Sequence, residues 1–193
     1  MKKAVFGLNV RDIAEIAMLC GLAIVIDRFI KIHLGATGGS INLAMFPLIL
    51  IALRHGWFKG FIAGGLIFGL ITNLLDGYGL ACYPLEYLVA FGSIAIIGVL
   101  SPYIYKLGKN KTLISILLLS AGVISTGVIR FFAASIDSVI LYQYGWIDAF
   151  IYNLPYVFIS LGVVLALTII LYPVIAKLNH TYKTTYIRYL DEK

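Results

Sequence analysis

The chain has 193 residues, of which 61% are hydrophobic and 12% are charged, and its mean hydropathy is +0.98. This composition excludes a soluble globular domain and indicates an integral membrane protein. The formal net charge of +6 does not indicate a nucleic-acid partner, because the basic residues are not clustered on a soluble face. The two cysteines form neither a disulfide framework nor a metal-binding spacing, so we expect no metal site.

Hydropathy and helix breakers predict six membrane-spanning helices, which gives an all-α bundle and a single domain over residues 1–193. The second span has about 13 apolar residues and reaches only about 20 Å, so we expect it to cross at an angle or to include part of Arg54-His55-Gly56. The first span has no cleavage site after it, which predicts a retained helix rather than a signal peptide. The predicted spans are 13–32, 41–53, 57–75, 85–105, 113–134 and 150–176.

Lys and Arg lie mostly on one side of the predicted bundle. By the positive-inside rule, both termini are expected in the cytoplasm of a bacterial cell, with the chain multi-pass in its plasma membrane. Acidic residues show the opposite bias, which would attract a cation from outside, although they could also simply solubilise the outer loops. The inner basic residues are Lys2, Lys3, Arg11, Arg54, Lys59, Lys106, Lys109, Lys111, Lys177, Lys183, Arg188 and Lys193, and the outer acids are Asp27, Asp76, Glu86, Asp137 and Asp148.

Small residues recur every four positions on two predicted helices. Gly56, Gly60 and Gly64 give the third helix a face that another helix can approach closely, and packing inside the bundle is the expected use. Ala17 and Gly21 form a similar pair on the first helix. That pair can pack within the chain or dock on a second membrane protein.

Glu86 stands at the start of the fourth predicted span. A carboxylate at membrane depth is costly and by default marks a functional site. The alternative is a structural carboxylate in the first helical turn after Pro84, where the helix dipole contributes about 0.3 to 1 kcal/mol.

Three segments resemble the thiamine-binding S components of energy-coupling factor (ECF) transporters. They are GGSINLAMFP at 38–47, ALRHGWFKG at 52–60 and YPLEYLVAF at 83–91. The resemblance implies a six-helix subunit without cofactor or enzymatic activity, which captures thiamine or a thiamine precursor such as hydroxymethylpyrimidine outside the cell. It also implies delivery to a membrane-embedded coupling protein with two ATPase subunits. Consistent with this, the lysine-containing stretch 108–112 lacks the glycine spacing of a Walker A motif.

The resemblance also implies roles for individual residues. Glu86 is expected to meet the positively charged ligand, and Asn153, preceded by Tyr152, is expected to line the same pocket near the outer face. A thiazolium cation needs a countercharge or aromatic faces, and an aminopyrimidine needs a donor and an acceptor, so Tyr87, Tyr142 and Trp146 complete the expected set. The loop between the first two helices and the loop after the fifth are expected to cap this pocket. Ala17 and Gly21 are expected to dock on the coupling protein.

The chain departs from the family pattern after Arg130. Relatives tend to read Arg-Phe-x-x-His-x-x-Ser-Gly here, whereas this chain has Ala134 in place of the histidine, and Asp137 and Ser138 in place of Ser-Gly. Asp148 replaces a family tyrosine. The pocket is therefore expected either to suit a different cation, with Asp137 and Asp148 as added binding residues, or to hold these charges in water.

Two other classes of function fit the sequence less well. An autonomous small cation transporter or channel would use the intramembrane acids as ion sites, but the sequence shows no paired broken helices in repeated halves. A membrane enzyme would need a nucleophile, a base or a metal site, and His33, His55 and His180 lie at the rims or in the tail.

Overall fold

The computed structural model describes residues 6–7, 9–33, 40–108 and 111–192, and for residues 31–33 and 40 it describes the backbone. It is an all-α bundle with one short two-stranded ribbon. The six helices that correspond to the predicted spans are α1 (Val10–Phe29), α2 (Met45–His55), α3 (Trp57–Asp76), α4 (Tyr83–Gly108), α5 (Thr112–Tyr142) and α6 (Trp146–Ile170). Two shorter helices follow, α7 (Tyr172–Thr181) and α8 (Thr185–Asp191).

Four of the described helices, α3 to α6, are long and apolar enough to cross a membrane by length and composition. The helix α1 has 20 residues but carries several charges, and α2 has 11 residues. Each predicted span overlaps one of these six helices, whereas the count of six membrane crossings stays a prediction. The tip of the predicted cap, 34–39, lies outside the described residues, as do Lys2, Lys3, Lys109 and Lys193.

Several boundaries differ from the sequence prediction: the predicted sixth span, 150–176, is divided at Leu171 between α6 and α7, and two other differences have an identifiable cause. The helix α2 begins at Met45 because the preceding residues form a strand, β2 (Ser40–Asn42), that pairs antiparallel with β1 (Lys31–His33). The helix α5 continues to Tyr142, where Gln143 adopts a left-handed conformation that ends the helix. The loop after α5 is therefore only 143–145, and Asp137 lies on the helix.

The short helix α2 lies at the centre of the bundle. Leu48, Ile49 and Ile51 are fully buried, and only two of its residues are partly exposed. It contacts α1, α3 and α4, and the Ser101 hydroxyl of α4 donates a hydrogen bond to the Leu53 carbonyl at 2.6 Å. A helix enclosed by protein in this way need not match the bilayer thickness by itself.

The glycines of α3 bring this helix close to α4. A Cβ on Gly64 would lie 2.6 Å from the carbonyl oxygen of Phe91, and one on Gly65 would lie 3.1 Å from the carbonyl oxygen of Leu88. Both helices contain a π-helical segment at this contact, at Ile62–Phe68 in α3 and at Tyr83–Val89 in α4. Segments of π-helix are rare in proteins, and those that occur are often found at functional sites. The segment in α4 contains Glu86.

Most of the described basic residues lie at one end of this bundle, which we call the basic end, and Asp27, Asp76, Glu86, Asp137 and Asp148 lie at the other, which we call the acidic end. At the basic end, the Arg54 guanidinium binds Glu15 of α1, the Asn179 side chain at 2.7 Å and the Tyr182 carbonyl at 3.0 Å. The Arg54 carbonyl accepts a hydrogen bond from Thr184 at 2.5 Å. These bonds attach the C-terminal segment to α1 and α2.

A second buried ion pair lies beside this network. The Lys59 ammonium is 3.6 Å from the Asp12 carboxylate, which also accepts a hydrogen bond from the Thr185 amide at 3.4 Å. The ring of Tyr186 packs against Gly56, where φ is +85° and a Cβ would lie 2.9 Å from a ring carbon. Glycine is therefore required at the turn between α2 and α3 for both reasons.

Candidate functional site

Glu86 is placed at the acidic end by the π-helical turn at the start of α4. Its side chain is largely but not wholly buried. Within the described residues, its carboxylate receives no hydrogen bond and has no cation within 4 Å. The charged groups that act on it electrostatically are Arg130, Asp137 and Asp76. An ionisable group inside a bundle without a protein partner is a candidate for binding a ligand.

Arg130 of α5 supplies the positive charge near Glu86. Its side chain is buried, and the guanidinium carbon lies 4.8 Å from the centre of the Phe91 ring. This distance is within the range of a cation–π contact, which stabilises the charge away from bulk water. The guanidinium acts electrostatically on Glu86 and on Tyr156.

Asp137 lies two turns further along α5 and is 3% exposed. No cation of the described chain lies within ion-pair distance of it. The polar group beside it is the Cys82 thiol, whose sulfur is 3.9 Å from the Tyr142 hydroxyl and 3.7 Å from the Tyr78 carbonyl oxygen. A thiol is a weak donor, so this carboxylate is poorly compensated.

Asn153 of α6 is 1% exposed and is held by three hydrogen bonds. Its amide nitrogen donates to the Ser138 hydroxyl at 3.0 Å and to the Ala149 carbonyl at 2.8 Å, while its oxygen accepts a hydrogen bond from the Tyr156 hydroxyl. Both amide hydrogens are therefore used within the protein, and one lone pair of the oxygen remains.

Tyr156 was missed by the sequence prediction. It is buried, its hydroxyl donates a hydrogen bond to Asn153, and charged groups of α4 (Glu86) and α5 (Arg130 and Asp137) lie within electrostatic range of it. The sequence signal that could have identified Tyr156 is its helical spacing from Asn153 and Tyr152. A residue three positions after Asn153 and four after Tyr152 lies on the same face of α6.

Four tyrosines form a row at the acidic end. Neighbouring ring centres are 6.2 Å apart between Tyr142 and Tyr144, 5.9 Å between Tyr144 and Tyr152, and 5.9 Å between Tyr152 and Tyr156. The tyrosine row starts beside Asp137 and ends at Asn153. It offers aromatic faces to a cation next to the two carboxylates.

The other sequence-predicted residues lie apart from this convergence. Tyr87 is buried, and its hydroxyl donates to Asp76 at 2.9 Å, which in turn binds Arg28 at 3.2 Å; Tyr87 thus joins α4 to α3 and α1. Trp146 is 57% exposed and packs on Phe150, and Asp148 is exposed beside Gly145.

No group of three or more His, Cys, Asp or Glu side chains in the described ranges is arranged to hold a metal ion. The arrangement combines two carboxylates, a buried arginine and tyrosine faces. These groups suit a flat organic cation that also carries hydrogen-bond donors.

A family model, a curated relative and a solved structure that are similar to this chain all belong to thiamine transporters. The family model described as "Thiamine transporter protein (Thia_YuaJ)" matches residues 13–183. The thiamine transporter ThiT of Bacillus subtilis (strain 168) is 28% identical over 183 residues, covering 84% of this chain and 92% of that protein. A solved structure of ThiT from Listeria monocytogenes superimposes with a TM-score of 0.74 at 26% identity, covering 88% of this chain and 97% of that one.

Proposed function

Because the chain belongs to the thiamine transporter protein family, whose members are transporters rather than enzymes, we propose that it is the substrate-binding S component of an ECF transporter. In this role it captures thiamine outside the cell and releases it inside. The energy comes from a membrane-embedded coupling protein and two ATPase subunits. The protein lies multi-pass in the bacterial plasma membrane with both termini in the cytoplasm, as the positive-inside rule predicts.

The observation that carries this proposal is the Glu86 carboxylate, which has no hydrogen-bond donor or ion pair from the described chain although it lies inside the bundle. A carboxylate left without a partner costs free energy in the empty protein. Thiamine supplies what is missing, because it carries both a positive ring and an amino group that donates hydrogen bonds.

The ligand in this proposal lies between α4, α5 and α6. Glu86 binds it from α4, and the free lone pair of Asn153 accepts one hydrogen bond from α6. Tyr152 and Tyr142 cover its rings, and Asp137 lies beside them. Trp146 and Asp148 border the outer mouth, and Tyr87 holds the start of α4 in place through Asp76.

Isothermal titration of thiamine into the purified protein tests this site. Replacing Glu86 with glutamine should weaken binding by about 2 to 4 kcal/mol, roughly 30- to 1000-fold, because a charged acceptor is lost from a partly desolvated site. Glu192→Gln is the matched control, since it makes the same change at an exposed glutamate of the basic end and should change affinity less than about threefold. Equal affinity of Glu86→Gln and wild type would exclude Glu86 as a ligand residue.

The partner surface in this proposal is the face of α1 around Ala17 and Gly21. Ala17 is exposed, and a Cβ on Gly21 would meet no atom within 4 Å, so this face is not used for packing within the described chain. Small residues allow close approach of a helix from the coupling protein. Vesicles containing this chain alone should take up no thiamine, whereas addition of the coupling protein, the ATPases and ATP should start uptake. Uptake by the chain alone would favour an autonomous cation transporter.

A further inference from the structure

We propose that Ser138 of α5 is a positioning residue that fixes the direction of the hydrogen bonds made by Asn153 and Tyr156 of α6. As a result, these two side chains offer hydrogen-bond acceptors to a ligand and no donors. This inference rests on the proposed function, and it names the chemical group that this side of the site selects, an amino group on an aromatic ring.

The single proton of the Ser138 hydroxyl is used inside α5. The hydroxyl donates to the Ala134 carbonyl oxygen at 2.9 Å, one helical turn earlier. A carbonyl oxygen can only accept, so the proton lies on this side and the lone pairs of the hydroxyl oxygen face away from it. Toward Asn153, the Ser138 oxygen can therefore act only as an acceptor.

This acceptor sets the orientation of the Asn153 side chain. The amide nitrogen lies 3.0 Å from the Ser138 oxygen and 2.8 Å from the Ala149 carbonyl oxygen. Both neighbours require a donor, so the nitrogen faces them and the amide oxygen faces the opposite side. The reverse orientation would place the amide oxygen against two acceptors. Asn153 is 1% exposed, and such a contact is costly away from water.

Tyr156 continues the same direction of donation. Its hydroxyl donates to the Asn153 oxygen, so its only proton is used as well. What remains is one lone pair on the Asn153 oxygen and the lone pairs of the Tyr156 oxygen, to which no donor of the described residues is bonded. The hydrogen bonds thus run one way, from Tyr156 through Asn153 and Ser138 to the Ala134 carbonyl, and bonds in such a chain strengthen one another.

Two neighbouring acceptors match a ligand group that has two N–H bonds. The amino group of an aminopyrimidine has this property, whereas a carbonyl oxygen at the same position would face other oxygens and leave them without a donor. A site built to bind an N–H group rejects an analogue that lacks it, because its buried polar atoms stay unpaired. Ser138 contributes to this selection without contacting the ligand.

Oxythiamine tests this assignment, because it has the shape of thiamine but a carbonyl oxygen in place of the pyrimidine amino group. Both ligands are titrated into purified wild type, Ser138→Ala, Ser138→Thr and Ser125→Ala. Ser125→Ala is the matched control, since Ser125 is an exposed serine of α5 whose hydroxyl also donates to a carbonyl one turn earlier, at 2.8 Å.

Wild type and the control should bind thiamine roughly 10- to 100-fold more tightly than oxythiamine, the range for an unpaired buried polar group. In Ser138→Ala this preference should fall by about 3- to 10-fold, because Asn153 loses one of the two acceptors that fix its amide nitrogen. Ser138→Thr keeps a hydroxyl that can donate to the same carbonyl, so it should retain the preference of wild type.

The ratio of the two affinities separates a positioning role from a structural one. An unchanged ratio in Ser138→Ala, including equal weakening of both ligands, would overturn the inference, as would a loss in Ser138→Thr as large as in Ser138→Ala. Wild-type protein that binds both ligands equally would overturn it while leaving the proposed function intact. Wild-type protein that binds neither would overturn both. Thermal unfolding of each variant verifies that it is folded.

Discussion

Replacing Arg54 with methionine should destabilise the protein by about 3 to 5 kcal/mol, because it removes one partner of a buried ion pair. Arg54 is 2% exposed and binds Glu15 through two of its nitrogens. The same guanidinium holds Asn179 at 2.7 Å and the carbonyl of Tyr182 at 3.0 Å. The substitution therefore leaves a carboxylate uncompensated and releases the segment that leads to α8.

Thermal unfolding in detergent measures this effect. For a chain of 150 to 250 residues, each kcal/mol lowers the melting temperature by about 2 to 4 °C, so we expect a decrease of about 6 to 20 °C. Arg188→Met is the matched control, because Arg188 is exposed at the same end and should shift the transition by less than about 2 °C. Adding Glu15→Leu to Arg54→Met should recover part of the loss, since the uncompensated charge is removed. A decrease no larger than that of the control, or strictly additive losses in the double variant, would refute the reasoning.

Two further predictions concern glycines, one at the contact between α3 and α4 and one on the open face of α1. Gly64→Ala should lower the unfolding free energy by about 1 to 3 kcal/mol, since its Cβ would lie 2.6 Å from a backbone oxygen of α4, whereas Gly162→Ala, with open space around it, should be neutral or stabilising in the same thermal assay. Gly21→Leu should leave thiamine affinity of the isolated chain unchanged but reduce ATP-driven uptake at least about tenfold in vesicles with the coupling module, and undiminished uptake would exclude this face as the docking surface.

Hydropathy located the helices well because the apolar character of a span is a local property of the sequence. The ends of α2 and α5 were less predictable. Pairing of Ile41 with Ile32 is a contact between distant residues, and it delays the start of α2. Asp137 and Ser138 are polar, and their polarity favoured a loop in the sequence prediction. Both are buried on the inner face of α5, so the helix continues through them.

The candidate site was predictable to a smaller extent. Glu86 was identifiable as a single acid next to an apolar span, and Asn153 through the family resemblance. The surroundings of Tyr156 are formed by groups from three helices. The sequence of a single helix therefore indicates this residue only by its helical spacing from Asn153. Arg54 and Lys59 were predicted only to lie on the inner side, and the structure buries both in ion pairs with α1. The positive-inside rule predicts the side of the membrane, and it does not predict burial.

Asp76 at the acidic end is paired with Arg28, but four other carboxylates of the bundle form two groups with different surroundings, and this difference separates a structural role from a binding role. At the basic end, Asp12 and Glu15 each have a cation within 4 Å, and their pairs attach the C-terminal segment. At the acidic end, Glu86 and Asp137 have no such partner among the described residues. Removing an acid from the first group should therefore reduce stability. Neutralising one from the second should reduce ligand binding while leaving the empty protein as stable or more stable, because an unpaired buried charge opposes folding.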